Sequence, residues 1–299
     1  MTLSATGGSM CRMSWTVDNI PDQTGRVAVI TGATSGLGLV VARELARAGA
    51  RLIIGARDPG KASATIDLLP GTGHSTYPLD LADLDSVREF ATAVRSGHGR
   101  LDLLINDAGI MAVPRTLSAQ GYELQFAVNH LGHFALTTGL LDRIDGRVVT
   151  VTSVLHRKGR LDLDDLSAAS GYSPTDAYNR SKLANMVFAL ELHRRWEGVS
   201  VAAHPGYART GLQGSVPPGL YRFLLTRIGN PLVAVSAARG ALPLLYAATA
   251  PQVASGELIG PGGPGEMRGA PKALVPAPAA ADPEAGRRLW AVSEQLVTA

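Results

Sequence analysis

Residues 178–182 read YNRSK and place Lys182 four positions after Tyr178, in a chain that carries 24 arginines but only four lysines. On a helix, positions i and i+4 face the same way. A tyrosine hydroxyl titrates near ~10 and is by itself a weak acid–base catalyst at neutral pH. An ammonium about 4 Å away favours the phenolate by roughly 4 kcal/mol at an effective dielectric near 20, or about three pKa units. The pair reads as a proton-transfer centre tuned by a cation. The alternative is a tyrosine on an amphipathic helix with a solvated lysine one turn on. Leu183, Val187 and Leu190 mark an apolar face close to Lys182, which suits a solvated lysine poorly. Two other residues join this centre. Ser153 can hold an oxygen beside Tyr178, or satisfy the local backbone at a strand end. Asn129 falls mid-helix, where asparagine is disfavoured, so it either has a polar task or sits in solvent.

The elements that must position these residues follow an alternating pattern. Short apolar runs at 27–31, 51–55, 75–79, 101–105, 147–153 and 199–204 read as strands. Segments 39–49, 59–69, 83–95, 121–142 and 174–196 read as helices, the last starting after Pro174 with Thr175 or Asp176 as its cap. Strands alternating with helices predict an α/β fold: one Rossmann-type, doubly wound parallel sheet with helices on both faces. Residues 25–299 form one domain in this reading, and 1–24 a disordered N-terminal extension. Pro/Gly-rich interruptions near 211–235 and 261–283 are placed to serve as substrate lids, because ligands lie beyond the strand C-termini in such sheets.

The first strand runs into TGATSGLG at 31–38. Gly32, Gly36 and Gly38 let backbone approach a pyrophosphate at a helix N-terminus; the alternative is an ordinary glycine-rich turn. At the end of the second strand the chain reads GAR rather than presenting a carboxylate. Arg57 can fork onto a 2′-phosphate, which favours NADP(H) over NAD(H), or neutralise Asp58. Asp80, at the end of the third strand, either accepts from an adenine amino group or caps the next helix.

Bulk composition narrows the classes. The 299 residues are 45% hydrophobic and carry a formal charge of +3, with the basic residues scattered, so no nucleic-acid partner is expected. One cysteine excludes an intrachain disulfide, and the histidine and cysteine spacings expect no metal. Stretch 231–250 reads as a core helix broken by Arg239 rather than a membrane span, and a cytoplasmic, bacterial protein is expected.

Together these residues resemble the short-chain dehydrogenase/reductase family. Thr31–Gly38 matches its T-G-x-x-x-G-x-G pattern, Asn106-Asp107-Ala108-Gly109 its N-N-A-G, Tyr178…Lys182 its Y-x-x-x-K, and Pro205-Gly206 with Thr210 its later P-G stretch. The long gap between Ser153 and Tyr178, together with VNHLGHF at 128–134 and SKLANMVFALEL at 181–192, resembles the retinol-dehydrogenase-like branch. The 267–278 and 287–296 segments resemble actinobacterial members. The resemblance implies an oxidoreductase that moves hydride between NADP(H) and a carbonyl or alcohol substrate. Tyr178 is then general acid/base, Lys182 ribose ligand and pKa modulator, Ser153 orienter of the substrate oxygen, and Asn129 part of a water-mediated proton relay. The cofactor-lining set comprises Gly32, Thr34, Ser35, Gly36, Leu37, Gly38, Arg57, Asp80, Leu81, Asn106, Ala108, Gly109, Tyr178, Lys182, Pro205, Gly206 and Thr210. It also implies a homodimer or homotetramer paired through the Tyr-bearing helix. Asp107 departs from the pattern at a position expected to tether strands, with a modest effect on stability. Apolar side chains at 217–228 and 231–235 suit a lipophilic substrate or a peripheral membrane contact. A non-catalytic NADP(H)-binding sensor or scaffold is the alternative reading.

Overall fold

The computed structural model describes residues 15–207 and 236–298. Eight strands form one sheet in the order β3-β2-β1-β4-β5-β6-β7-β8, all neighbours parallel except the last pair. They are β1 (Val27–Thr31), β2 (Arg51–Ala56), β3 (Ser75–Pro78), β4 (Leu101–Asn106), β5 (Ile144–Val151), β6 (Val199–Ala203), β7 (Leu258–Pro261) and β8 (Pro271–Leu274). Every residue of β1 is buried, as expected of a strand covered on both faces.

Two apolar cores lie on the two faces. One holds Val41, Leu45, Leu244 and Leu245 from α1 (Gly36–Arg47) and α6 (Ala237–Thr249). The other holds Phe90, Phe134, Phe188 and Leu289 from α3 (Leu84–Gly97), α4 (124–140), α5 (Pro174–Arg195) and α8 (Pro283–Thr298). The outer helices α2 (Pro59–Asp67) and α7 (Pro278–Ala281) complete the layers. Strand order reverses between β1 and β4, and the crevice opens there, beyond Thr31 and Asn106.

Several expectations are corrected. The helix read at 121–142 is three pieces, here together α4: Leu124–Phe126, a π turn Ala127–Leu131, and Gly132–Leu140. A π turn inserts one residue per turn, which periodicity alone cannot register. Ser173, rather than Thr175 or Asp176, caps α5, its Oγ accepting from Asp176 N at 3.3 Å. The 261–283 segment, expected as a lid, contributes β8, antiparallel to β7, and α7. Residues 15–24 pack rather than extend: Trp15 meets Tyr246 edge-on at 5.3 Å, and Gln23 is buried, its N–H donating to Ala48 O at 2.7 Å. The rest of the expected extension, Thr210, and the 211–235 lid lie outside the described residues.

The Tyr-bearing helix has no open face. Ala177 through Leu192 are all buried, partly beneath α8. Trp290 of α8 stacks on Phe188 with centroids 6.0 Å apart, meets Phe134 edge-on at 5.0 Å, and takes the Arg195 guanidinium at 4.7 Å. Ser293 reaches the His130 ring at 2.9 Å. The chain's own C-terminal helix therefore covers part of the helix on which the expected pairing would rest. Among the described residues, no helix is long and apolar enough to cross a membrane.

Trp290→Ala removes the half-buried ring that joins α8 to α4 and α5. A loss of about 2–3 kcal/mol is expected in urea denaturation. A loss below about 1 kcal/mol would show that α8 is not packed as described.

Candidate active site

A single cleft of about 820 Å³ runs along the C-terminal ends of the central strands. Of the expected residues, Gly32, Thr34, Ser35, Gly36, Leu37, Arg57, Asp80, Leu81, Ala108, Gly109, Ser153, Tyr178, Lys182, Pro205 and Gly206 line it. Its nucleotide end is built as phosphate chemistry requires. Gly32 has φ +75°, and a Cβ there would lie 2.8 Å from Ala108 Cα, so only glycine lets the turn close against β4. Ser35 caps α1 without a side-chain hydrogen bond, leaving first-turn N–H groups directed at the cleft. Gly38 does not line the cleft. A Cβ there would meet Gly32 O at 2.4 Å and Asp107 Oδ2 at 2.7 Å, so its role is close helix–strand packing.

Arg57 and Asp80 separate from their bland alternatives. Asp58 caps α2 by accepting from Lys61 N at 3.0 Å and pairs with Lys61 Nζ at 3.9 Å. Arg57 is exposed at the cleft edge and has no ion pair among the described residues. Asp83, rather than Asp80, caps α3. Asp80 Oδ1 accepts from Ala82 N at 3.0 Å while the residue faces the cleft. These features fit a dinucleotide: a glycine cradle, open helix N–H groups, and an exposed guanidinium at the cleft edge.

At the other end, β5 and α5 are stitched together around the proton-transfer pair. Val151 O accepts from Lys182 Nζ at 3.1 Å and from Asn185 Nδ2 at 3.0 Å, and Thr152 Oγ1 donates to Lys182 O at 2.7 Å. Tyr178 and Lys182 are both buried, with Nζ 5.8 Å from the ring centroid. Ser153 Oγ accepts from Leu155 N at 3.2 Å and also lies within reach of the Tyr178 hydroxyl. The expected lowering of the tyrosine does not follow from these groups alone. Burial pushes Tyr178 up to about 12, and the Ser153 contact offsets only part of this. Burial likewise pulls Lys182 down to about 8, against the attraction of Asp107. Desolvation outweighs the cation–phenolate attraction because the ammonium is itself desolvated and turned toward Val151 O.

Asn129 and Asn106 lie behind the cleft rather than on its wall. Asn129 Oδ1 accepts from Ile110 N at 2.8 Å, and Nδ2 donates to Ile110 O and Ser181 Oγ, each at 2.9 Å. Its amide is thus fully used in joining the loop after β4 to α5. Asn106 Nδ2 donates to Thr137 Oγ1 at 2.9 Å and so ties β4 to α4, while the strand tether expected of residue 107 is made by its backbone N–H, which donates to Thr31 Oγ1 at 3.0 Å. Asp107 instead turns its carboxylate toward the cleft, beside Gly38 and in the field of Lys182. The spacing reading also missed Met111, Val154, Leu155, Tyr207 and Met267, which form the apolar wall near Tyr178, and Arg157 and Lys158 at its rim. No local signal marks these, since they converge from four separate loops.

Burial raises the Asp107 carboxyl to about 7, with Lys182 drawing it back only in part. The folded chain therefore keeps a proton that the unfolded chain releases near pH ~4. This preference is fully present below about pH 4 and is lost as pH rises through about 7. Asp107→Asn removes that loss. Its Tm should exceed the parent's by about 2–4 °C near pH 8, with the advantage shrinking as pH falls toward about 4. A constant difference at all pH values would contradict the assignment.

The comparisons with known proteins agree with this geometry. The short chain dehydrogenase family profile matches residues 26–219. Human retinol dehydrogenase 13 is 38% identical over 293 residues, covering 91% of this chain and 85% of the relative. Mouse polyprenol dehydrogenase is 39% identical over 300 residues, covering 94% and 86%. Among solved structures, an uncharacterized protein from Mycobacterium paratuberculosis superposes with a TM-score of 0.81 at 42% identity, covering 95% of this chain and 98% of the other. A structure described as an NAD(P) dependent gluconate 5-dehydrogenase from Beutenbergia cavernae, with bound NADP at low occupancy, has a TM-score of 0.60 at 27% identity over 79% of this chain and 94% of the other. Motifs, fold and relatives converge, and the chain belongs to the short-chain dehydrogenase/reductase family of oxidoreductases, with retinol-dehydrogenase-like relatives.

Proposed function

We propose that the protein is an NADP(H)-dependent oxidoreductase acting on a carbonyl or alcohol of lipophilic character, with Tyr178 as general acid/base. The observation that carries the reading is the continuity of one cleft from the Gly32 turn and the exposed Arg57 to Ser153, Tyr178 and Lys182. The glycine turn and α1 N–H groups would hold the pyrophosphate, Arg57 the 2′-phosphate, Asp80 the adenine end, and Lys182 the nicotinamide ribose. When bound, the nicotinamide supplies or accepts the hydride. The apolar wall of Met111, Val154, Leu155, Tyr207 and Met267, and the retinol and polyprenol named for the relatives, support a lipophilic substrate.

The residues' own chemistry gives the proton step a direction. A Tyr178 pushed up to about 12 holds its proton at neutral pH, ready to protonate a carbonyl oxygen that Ser153 orients. For alcohol oxidation the same phenol must first lose that proton, so oxidation should accelerate with rising pH while reduction does not.

Fluorescence titration with NADPH and NADH tests the cofactor assignment. NADPH should bind at least about ten-fold more tightly. Arg57→Ala should weaken NADPH about 10–100-fold and leave NADH within about two-fold, as expected for a charge-assisted contact. Equal NADH affinity in the parent protein would sink the assignment. In a carbonyl panel, Tyr178→Phe should cost about 10²–10⁴-fold in kcat while NADPH affinity stays within about two-fold. Unchanged turnover would refute Tyr178 as the acid/base, and absence of turnover in the parent with NADPH binding that survives the substitution would favour a sensor or scaffold.

A further inference from the structure

The turn between β7 and β8 puts a glutamate where the backbone favours glycine. Gly265 and Glu266 are consecutive left-handed residues, with φ of 62° and 57°. A side chain in that region is held only when its surroundings require it. The Glu266 side chain points inward and is 23% exposed. Its Oε1 accepts from Arg157 Nη2 at 2.7 Å, and its Oε2 lies 3.3 Å from Nε2 of His204, a ring that burial keeps neutral, in a close polar contact rather than an aligned hydrogen bond.

Arg157 lines the cleft, and His204 lies directly before the Pro205-Gly206 turn that lines it elsewhere. Arg157 sits on the 3₁₀ turn Val154–Lys158 that Ser153 caps, and it also donates to Val275 O at 2.7 Å. His156 of the same turn accepts from Ala277 N at 3.2 Å. His204 follows β6; its Nδ1 accepts from Gly206 N at 3.2 Å, which leaves the ring proton on Nε2, facing Glu266. The main chain adds a parallel contact, since Tyr207 N donates to Met267 O at 3.2 Å. Gly206 packs so closely on that carbonyl that a Cβ would lie 2.5 Å from it.

We propose that Glu266 is a positioning residue. Its carboxylate clamps the turn after Ser153 and the Pro205-Gly206 turn to the β7–β8 turn, and so sets the wall of the cleft beside Tyr178. The cofactor arm of the test rests on the NADP(H) reading above; the exchange arm does not.

The decisive variant is Glu266→Gly, which suits the local backbone better and removes only the side chain. Amide hydrogen exchange of the ligand-free protein is followed in peptides covering 153–159, 200–207 and 262–270. The clamp predicts faster exchange, on the order of ten-fold, in both remote peptides as well as in the turn itself. NADPH should bind about five- to ten-fold more weakly, because misplaced walls cost affinity. Glu266→Gln, which keeps one acceptor, should fall between parent and Gly. Parent-like exchange at 153–159 and 200–207, or a change confined to 262–270, would overturn the proposal. If Glu266→Gly does not fold, Arg157→Ala on the exposed rim decides: faster exchange at 262–270 supports the clamp, and unchanged protection refutes it. The predicted exchange change in Glu266→Gly, together with a parent protein that binds no NADPH, would keep the clamp and refute the cofactor reading.

Discussion

The Thr31 hydroxyl is the junction on which the site depends. It ends β1 at the point where strand order reverses, and it accepts from both Asp107 N and Ala108 N at 3.0 Å beyond the end of β4. Those two bonds fill its lone pairs, so its own proton goes to His133 Nε2 at 2.9 Å. His133 Nδ1–H then donates to Asn129 O at 3.0 Å. Burial pulls His133 down to about 4, so it stays neutral and this pattern holds across physiological pH. One buried chain of hydrogen bonds thus joins the phosphate turn, the loop after β4 and the π turn of α4. The amide of Asn129 extends it to Ser181 of α5, three residues from Tyr178.

Around that junction the energetics favour neutrality. Tyr178, Lys182 and Asp107 line one cleft, and burial is the largest influence on each. The tyrosine is driven to keep its proton, the lysine to lose one, and the carboxyl to gain one. The Lys182–Asp107 attraction and the Ser153 contact on Tyr178 act against this. A family-typical asparagine at 107 would leave Lys182 without that counterion, so the substitution concerns the electrostatics around Lys182 more than the strength of the sheet. It also explains why a Coulomb estimate for an exposed Tyr–Lys pair does not carry over. The ammonium is turned toward Val151 O, and its own desolvation is of the same order as its attraction for the phenolate.

The C-terminal region settles how the long helix is covered. Sixteen consecutive residues of α5, Ala177 to Leu192, are buried, which no amphipathic pattern would show. The aromatic cluster of Phe134, Phe188 and Trp290 exists because α8 returns across the sheet to lie on that helix. The β7–β8 hairpin, the turn that carries Glu266, and α8 follow one another in the chain. The same segment that covers α5 therefore also walls the cleft.

Much of this was legible in the residues themselves. The parallel strands announce themselves as apolar runs because both faces are buried, and the glycine turn because only glycine allows φ +75° against Ala108 Cα. The Tyr178–Lys182 pair is legible because the i, i+4 relation is a property of any helix. The π turn at Asn129, the packing role of Gly38, the inward carboxylate of Asp107 and the Arg157–Glu266–His204 clamp were not. Each depends on contacts between residues far apart in the chain, and neither periodicity nor spacing encodes which loops meet. The sequence by itself determined the elements, their order and the chemical groups at the strand ends, since these follow from local backbone preferences and burial of apolar side chains. Tertiary structure alone decided which groups are desolvated and which charges face one another, because proton affinity depends on surroundings that only the packed fold assembles.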